Sequence, residues 1–267
     1  MCGIAGWICF NTDLSRQQDI MLDMAAKLSS RGPDASGLWL SSHAAVAHRR
    51  LIVIDPEGGK QPMVRNHGDN TFVITYNGEL YNTMDLRREL ESRGHRFYSN
   101  SDTEVLLVSY IEWGPGCAEH LNGIYAFGIW NERDRSLFLC RDRFGVKPLF
   151  YTLRESSIIF ASELKALLAH PDVKPEVDSD GLAEIFALGP ARTPGHGIFK
   201  GIHELKPSHT LVFDPSGIKT NKYWTLESKP HTDSTDITID RVRHLVTDTV
   251  ERQLVSDVPV CTFLSGG

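Results

Sequence analysis

Residues 1–10 read MCGIAGWICF. The run from Cys2 to Phe10 alternates weakly and is apolar enough for a buried strand. A chain terminus is normally frayed and tolerant of almost any residue. Here the terminus is itself core, and a cysteine heads it. Such a cysteine is either incidental or a nucleophile placed at the end of the chain. Position alone favours the incidental reading, a buried or oxidisable thiol. Cysteine is small enough, however, for Met1 to be removed before it. The product would carry a thiol and a free α-amino group on one residue. An α-amino group titrates at roughly 7.7–8.0 in peptides, so that nucleophile would bring its own base.

Outward from this strand, short elements follow in quick succession. Ile20, Met24 and Leu28 fall at helical spacing within 15–32, and Gly32-Pro33 stops that helix. Strands are predicted over 36–42, 44–55 and 71–82. Helices are predicted over 84–94 and 102–114, closed by Gly94 and Gly114. Strands at 124–130, 136–142, 148–153 and 157–162 are separated by charged turns. Helical stretches follow at 162–170 and 179–189, then a Gly/Pro-rich loop at 191–201 and a hairpin at 209–224. Many antiparallel-looking strands with a few helices indicate an α+β layered domain.

The polar run ESKPHTDSTD, 227–236, resembles a linker. Beyond it, 238–254 reads as an amphipathic helix with Ile239, Val242, Leu245, Val246 and Val250 on one face. VPVCTFL, 258–264, reads as an apolar strand before Ser265-Gly266-Gly267. The expected organisation is therefore a domain over 2–226, a linker over 227–237, and the beginning of a second domain over 238–267.

The chain has 267 residues, 41% of them hydrophobic, which is enough for a large core. Its net charge of −6 is scattered, with no basic face for nucleic acid. No run is long enough to span a membrane, and no signal peptide is expected at the terminus. The five cysteines are odd in number and without CxxC spacing, which argues against a disulfide framework and against zinc. A reducing cytoplasm is the expected compartment.

Four further stretches can carry chemistry. Arg31-Gly32-Pro33-Asp34 reads as a helix stop whose charges could order the N-terminal strand. In AHRRLIVID, adjacent arginines point to opposite faces of a strand. One of them, Arg50, could fork a substrate carboxylate, although a solvated strand end explains an isolated Arg-Arg pair more simply. In TYNGELYN, Asn77-Gly78 between β-like runs is a strong hairpin signal. Alternatively, the Asn77 amide and the Gly78 N–H form an oxyanion hole, glycine allowing close approach. In NSDTEV, Ser101 and Glu104 fit a capping box, and Asp102 suits the helix dipole. Asp102 could equally take a substrate ammonium group. A nucleophile with its own base, an oxyanion hole and a two-ended amino-acid clamp together describe hydrolysis of an amino acid's side-chain amide.

CGIAG, RGPD, HRRL-x-x-ID, YNGE-x-YN, SDTEV, LNGIYAFGIW, RDRFGVKPLFY and FASELKALL occur in that order. Together they resemble the class II glutamine amidotransferases, specifically the glutaminase domain of glutamine-dependent asparagine synthetases. The resemblance runs from Cys2 to about Trp224 and resumes before SGG. It implies the N-terminal nucleophile sandwich, two antiparallel sheets between helical layers, followed by the first helix and strand of an α/β ATP-pyrophosphatase domain. It implies Cys2 as nucleophile, Asn77 and Gly78 as oxyanion hole, and Arg50 for the glutamine carboxylate. Leu51, Ile52, Val53, Ile54 and Glu79 would line the pocket, and Asp102 would take the amino group. Ile52 departs from the family, which often has serine there. Leu264, Ser265, Gly266 and Gly267 would begin a nucleotide site.

The implied substrate is glutamine, with no metal or cofactor in that half-reaction. ATP, Mg²⁺ and aspartate are expected only for the full-length enzyme. A homodimer is an admissible assembly, and neither nucleic acid nor membrane is an expected partner. Two alternatives stand beside this reading: an amidotransferase of another acceptor specificity, or a non-catalytic association domain.

Overall fold

The computed structural model describes residues 1–189 and 191–261. Two six-stranded sheets carry the architecture, and all their pairings are antiparallel. The first sheet holds β1 (Gly3–Cys9), β2 (Ala35–Leu40), β3 (Ala44–Arg50), β8 (Phe150–Arg154), β9 (Ser157–Ala161) and β10 (Ile202–Glu204), in the order β10-β8-β9-β1-β3-β2. The second holds β4 (Met63–His67), β5 (Asn70–Leu80), β6 (Gly123–Asn131), β7 (Ser136–Arg141), β11 (His209–Asp214) and β12 (Gly217–Lys222), in the order β12-β11-β7-β6-β5-β4.

The terminal strand explains the layering. Along β1, Ile4 and Ile8 join the core between the sheets, with Val73, Trp130 and Phe160. Its alternate residues Ala5, Trp7 and Cys9 join a second core with Met21, Met24 and Leu28. The period of two thus feeds both faces of a central strand. Met21 and Met24 belong to α1 (Gln18–Ala26), which covers the outer face of the first sheet. On the second sheet, Ile74, Tyr76 and Leu80 of β5 pack with Leu86 and Leu90 of α2 (Thr83–Ser92) and with Val105 and Leu106 of α3 (Asp102–Trp113).

Several sequence expectations change here. The helix after β1 ends at Ala26 rather than at Gly32, and turns fill the gap. β3 stops at Arg50, so Leu51–Asp55 leaves the sheet as irregular chain. The stretch 162–170 holds only the one-turn helix α5 (Leu164–Leu167), after the one-turn α4 (Cys117–His120), whereas α6 (Ser179–Leu188) matches expectation. β4 and β10 were not expected, although β4 and β5 are joined by the two-residue turn Gly68-Asp69, itself a hairpin signal. Asn77-Gly78 forms no turn, because β5 runs through it unbroken.

The last helix, α7 (Thr235–Gln253), begins inside the polar run taken as linker and is capped by the Ser234 side chain. Its apolar residues Ile239, Val242, Leu245, Val246 and Val250 are about half exposed, each between 48% and 58%. Val258–Cys261 is not in a strand. The remainder of VPVCTFL and the Leu264–Gly267 site lie outside the described residues. No helix among the described residues is long and apolar enough to cross a membrane.

Candidate active site

β4 pairs with β5 only as far as Ile74. Beyond that point β5 is a sheet edge, with β6 on its other side. Alternate N–H groups of a strand point the same way. Along this edge the Tyr76 N–H donates to Gln61 Oε1 at 2.7 Å, and the Leu80 N–H to Asp102 Oδ2 at 3.3 Å. The Gly78 N–H lies between them on the same edge, and no side chain among the described residues accepts from it. A Cβ at Gly78 would stand 2.4 Å from the Ile124 carbonyl oxygen, so only glycine fits. Asn77 shares a strand face with Val73 and Thr75, which look toward the first sheet. Its Nδ2 is buried without a hydrogen-bond partner among the described residues. The pair read as a hairpin is thus an extended segment presenting two uncommitted donors.

Cys2 stands opposite them at the mouth of β1. Its thiol donates to the Leu51 carbonyl at 3.6 Å and accepts from the Leu51 N–H at 3.4 Å. Arg31 fixes the residue's backbone: Nε donates to the Cys2 carbonyl at 2.9 Å, and Nη1 pairs with Glu163 at 2.9 Å. Asp34 accepts from the Ile52 N–H at 2.8 Å. The RGPD charges therefore order the N-terminal strand and the loop beside it. Gly32 permits the turn to lie on β3, since a Cβ there would meet the Arg49 carbonyl at 2.2 Å.

Burial pushes the Cys2 thiol above its ordinary range, while the Leu51 hydrogen bond, the terminal ammonium and Arg50 pull the other way. Burial also pushes the α-amino group of Met1 down; Cys2 opposes this, and Arg31 and Lys147 push in the same direction as burial. A reluctant thiol thus sits in surroundings that disfavour a nearby ammonium, here that of Met1. Asp102, at the first position of α3, accepts from the Tyr76 hydroxyl at 2.9 Å. Burial lifts its carboxyl to about 6 despite these donors and the helix N-terminus. The Ser101 hydroxyl caps the helix as expected. Glu104 departs from the capping box, accepting from the Tyr98 and Ser99 N–H groups and pairing with Arg65.

One cavity gathers Cys2, Asn77, Gly78, Glu79 and Asp102, with Leu51, Val53 and Ile54 on its other side. Arg50 and Ile52 do not line it. Arg50 is buried, and its guanidinium donates to the carbonyls of Ile54, Asp55 and Pro56 at 2.8–2.9 Å. Three of its five N–H groups therefore hold the loop that forms the cavity wall. From outside, Asp257 grips the same loop: its Oδ2 accepts from the Asp55 N–H at 2.7 Å, and its N–H donates to the Val53 carbonyl at 3.0 Å. Met1, Gln61, Tyr76, Thr103 and Lys147 also line the cavity. Gln61 reaches it by bonding Thr103 Oγ1 at 3.2 Å as well as the β5 edge. None of these was assigned a site role from the sequence, although Tyr76, Thr103 and Lys147 lie within YNGE-x-YN, SDTEV and RDRFGVKPLFY.

The glutamine amidotransferase domain model matches residues 1–224. The chain belongs to the class II glutamine amidotransferases. A second model, asparagine synthase, matches residues 241–267. Asparagine synthetase (glutamine-hydrolyzing) 3 of Bacillus subtilis is 57% identical over all 267 residues, which correspond to 44% of that protein. A protein named amidase chry2 from Gibberella zeae is 31% identical over the whole chain and 41% of its own length. The amidotransferase thus spans less than half of either relative. Among solved structures, the glutamine phosphoribosylpyrophosphate amidotransferase of B. subtilis superposes with a TM-score of 0.61 over 84% of this chain and 50% of its own, at 20% identity. That likeness bears on fold alone: an α+β sandwich of two antiparallel sheets with helices.

Proposed function

We propose that the domain hydrolyses the side-chain amide of glutamine with Cys2 as nucleophile, once Met1 has been removed. The observation that carries this reading is the cavity in which the terminal thiol faces two uncommitted donors, the Asn77 amide and the Gly78 N–H. The terminal amine takes the thiol proton, and the thiolate attacks the amide carbon. The oxyanion so formed is held by Asn77 and Gly78. The C–N bond breaks, ammonia leaves with the proton returned by the amine, and a γ-glutamyl thioester remains. Water, deprotonated by the same amine, cleaves the thioester and frees glutamate and the thiol.

Asp102 takes the substrate ammonium, with Glu79 beside it. Arg50 stands behind the cavity wall, so its two N–H groups not engaged with the loop would meet the α-carboxylate only where that wall yields, while Leu51, Val53 and Ile54 enclose the stem. Ile52 then contributes through its backbone bond to Asp34 rather than as a wall.

We further propose that 2–226 is the glutaminase domain, 227–237 a connection, and 238–267 the start of a synthetase domain. The exposed apolar face of α7 supports this, being suited to cover by further chain. Ammonia would then serve ATP- and Mg²⁺-dependent conversion of aspartate to asparagine in the cytoplasm, in the part of such proteins that this chain does not span. The Gibberella relative keeps another acceptor in view. The test is ammonia release from glutamine, with Cys2→Ala as control and intact mass reporting the loss of Met1. Equal release from both proteins would sink the assignment.

A further inference from the structure

Lys147 was not singled out by its sequence context, RDRFGVKPLFY. It is only 6% exposed, yet no carboxylate among the described residues lies within ion-pairing distance of its ammonium, and it lines the cavity that holds Cys2. A buried cation without a counter-ion is costly. Its placement is not accidental, because two buried side chains lock the turn that carries it. Asp142 accepts from the N–H groups of Phe144 and Val146 at 3.0 Å each with one oxygen, and from those of Lys147 at 3.0 Å and Tyr125 at 3.3 Å with the other. Arg141 donates to the carbonyls of Gly145, Lys147 and Leu205 at 2.7–2.8 Å. The turn therefore aims an ammonium at the nucleophile's cavity, one that burial disfavours and that Glu79 and Asp142 help to keep charged.

We propose that Lys147 is a positioning residue for the proton at the N-terminal nucleophile: its ammonium favours thiolate at Cys2 and free amine at the chain terminus. This rests on Cys2 being the nucleophile. The other charges facing that pair are Arg31 from the turn after α1, Arg50 at the end of β3, Glu79 on β5 and Asp102 on α3. Glu79 and Asp102 oppose the effect, and the arginines support it. Arg31 and Arg50 are already committed to carbonyls. Lys147 is the cation among them with no hydrogen-bond acceptor among the described residues; Glu79 and Asp142 face it and share its field with the cavity.

The experiment compares Lys147→Gln and Lys147→Arg in the full chain. Alkylation of Cys2 by iodoacetamide is followed against pH by mass spectrometry of the terminal peptide. In Lys147→Gln the midpoint should rise by about 0.5–1 pH unit, and in Lys147→Arg it should return to the parent value. The acid limb of glutamine hydrolysis should move the same way. An unchanged midpoint in Lys147→Gln, or an equal shift in Lys147→Arg, overturns the proposal. Should Lys147→Gln not fold, Lys147→Met retains the aliphatic stem and makes the same comparison. Alkylation does not require turnover. A midpoint shift in a protein that never releases ammonia would refute the glutaminase reading while leaving the electrostatic role of Lys147 intact.

Discussion

The candidate cavity has two unlike walls. One is regular: Cys2 at the head of β1, Asn77 and Gly78 within β5, and Asp102 at the first turn of α3. The other is the irregular run Leu51–Pro56, with no ladder of its own, held by Arg50 from within and Asp257 from without. A strand fixes its groups through register with a paired neighbour, here β6, and through packing on its two faces, so a donor can be aimed without relying on one contact. A loop is only as well placed as the few side chains that satisfy its carbonyls. Under the proposed function, groups that stabilise charge during reaction sit on the regular wall, and groups that enclose the substrate sit on the loop, where small adjustments cost least.

The comparison breaks most sharply at Asn77. Asn77→Ala should lower kcat by about 10²–10³ with KM nearly unchanged, as loss of one oxyanion donor does; steady-state kinetics read it. A comparable change in KM instead would place Asn77 among the enclosing groups. At Asp102 the expected effect is smaller and falls on binding. Asp102→Asn should weaken glutamine by about 10–100-fold, the worth of a charge-assisted hydrogen bond, as seen by calorimetry in a Cys2→Ala background.

The same substitution should raise stability. The folded carboxyl titrates at about 6, above its ordinary value, so ionised Asp102 opposes folding. The gain, up to about 2–3 kcal/mol, should be full above about pH 6 and vanish as pH falls toward the ordinary aspartate range; urea melts at both ends of that window check it. In Cys2→Ala alone, glutamine affinity should fall as pH drops through about 6, where Asp102 takes up its proton and loses the charge that meets the ammonium.

The loop should respond least. Asp257→Ala removes one acceptor from outside the wall and should raise KM about 2–5-fold, equivalent to a net hydrogen bond, with kcat held. A fall in kcat alone would mean that the two walls are not separable in this way.

Much of the regular wall could be read from the sequence. Cys2, Asn77, Gly78 and Asp102 were each identified by what their functional groups can do, and β1, β5 and α3 bring them together. The reading failed where a local signal met a tertiary demand. Asn-Gly suggests a turn because glycine relieves steric limits, but here the limit relieved is the approach of Ile124 on β6. Arg50 was legible as an arginine fork, but its nearest acceptors are carbonyls of its own loop, which no pattern of residue types announces. Lys147 was given no role within its charged stretch. Its burial follows from Asp142 and Arg141 drawing that turn inward, a many-body effect without a sequence period. The start of α7 was missed because a polar run is compatible with both a linker and a capped helix.

One consequence of the unbroken β5 concerns chemical ageing. Asn-Gly is the dipeptide at which deamidation is easiest, because the glycine N–H can attack the asparagine side-chain carbon when the backbone is free to fold back on itself. Within β5 the backbone is extended, and the Asn77 side chain is buried. The folded protein therefore shields the Asn77 amide, the proposed oxyanion donor, from cyclisation, whereas the unfolded chain exposes it. Each excursion out of the native state gives Asn77 a chance to become a carboxylate, and refolding would then place a negative charge at the proposed oxyanion site. Activity lost on long storage under partly denaturing conditions should thus track isoaspartate at position 77, and the loss should persist after the denaturant is removed.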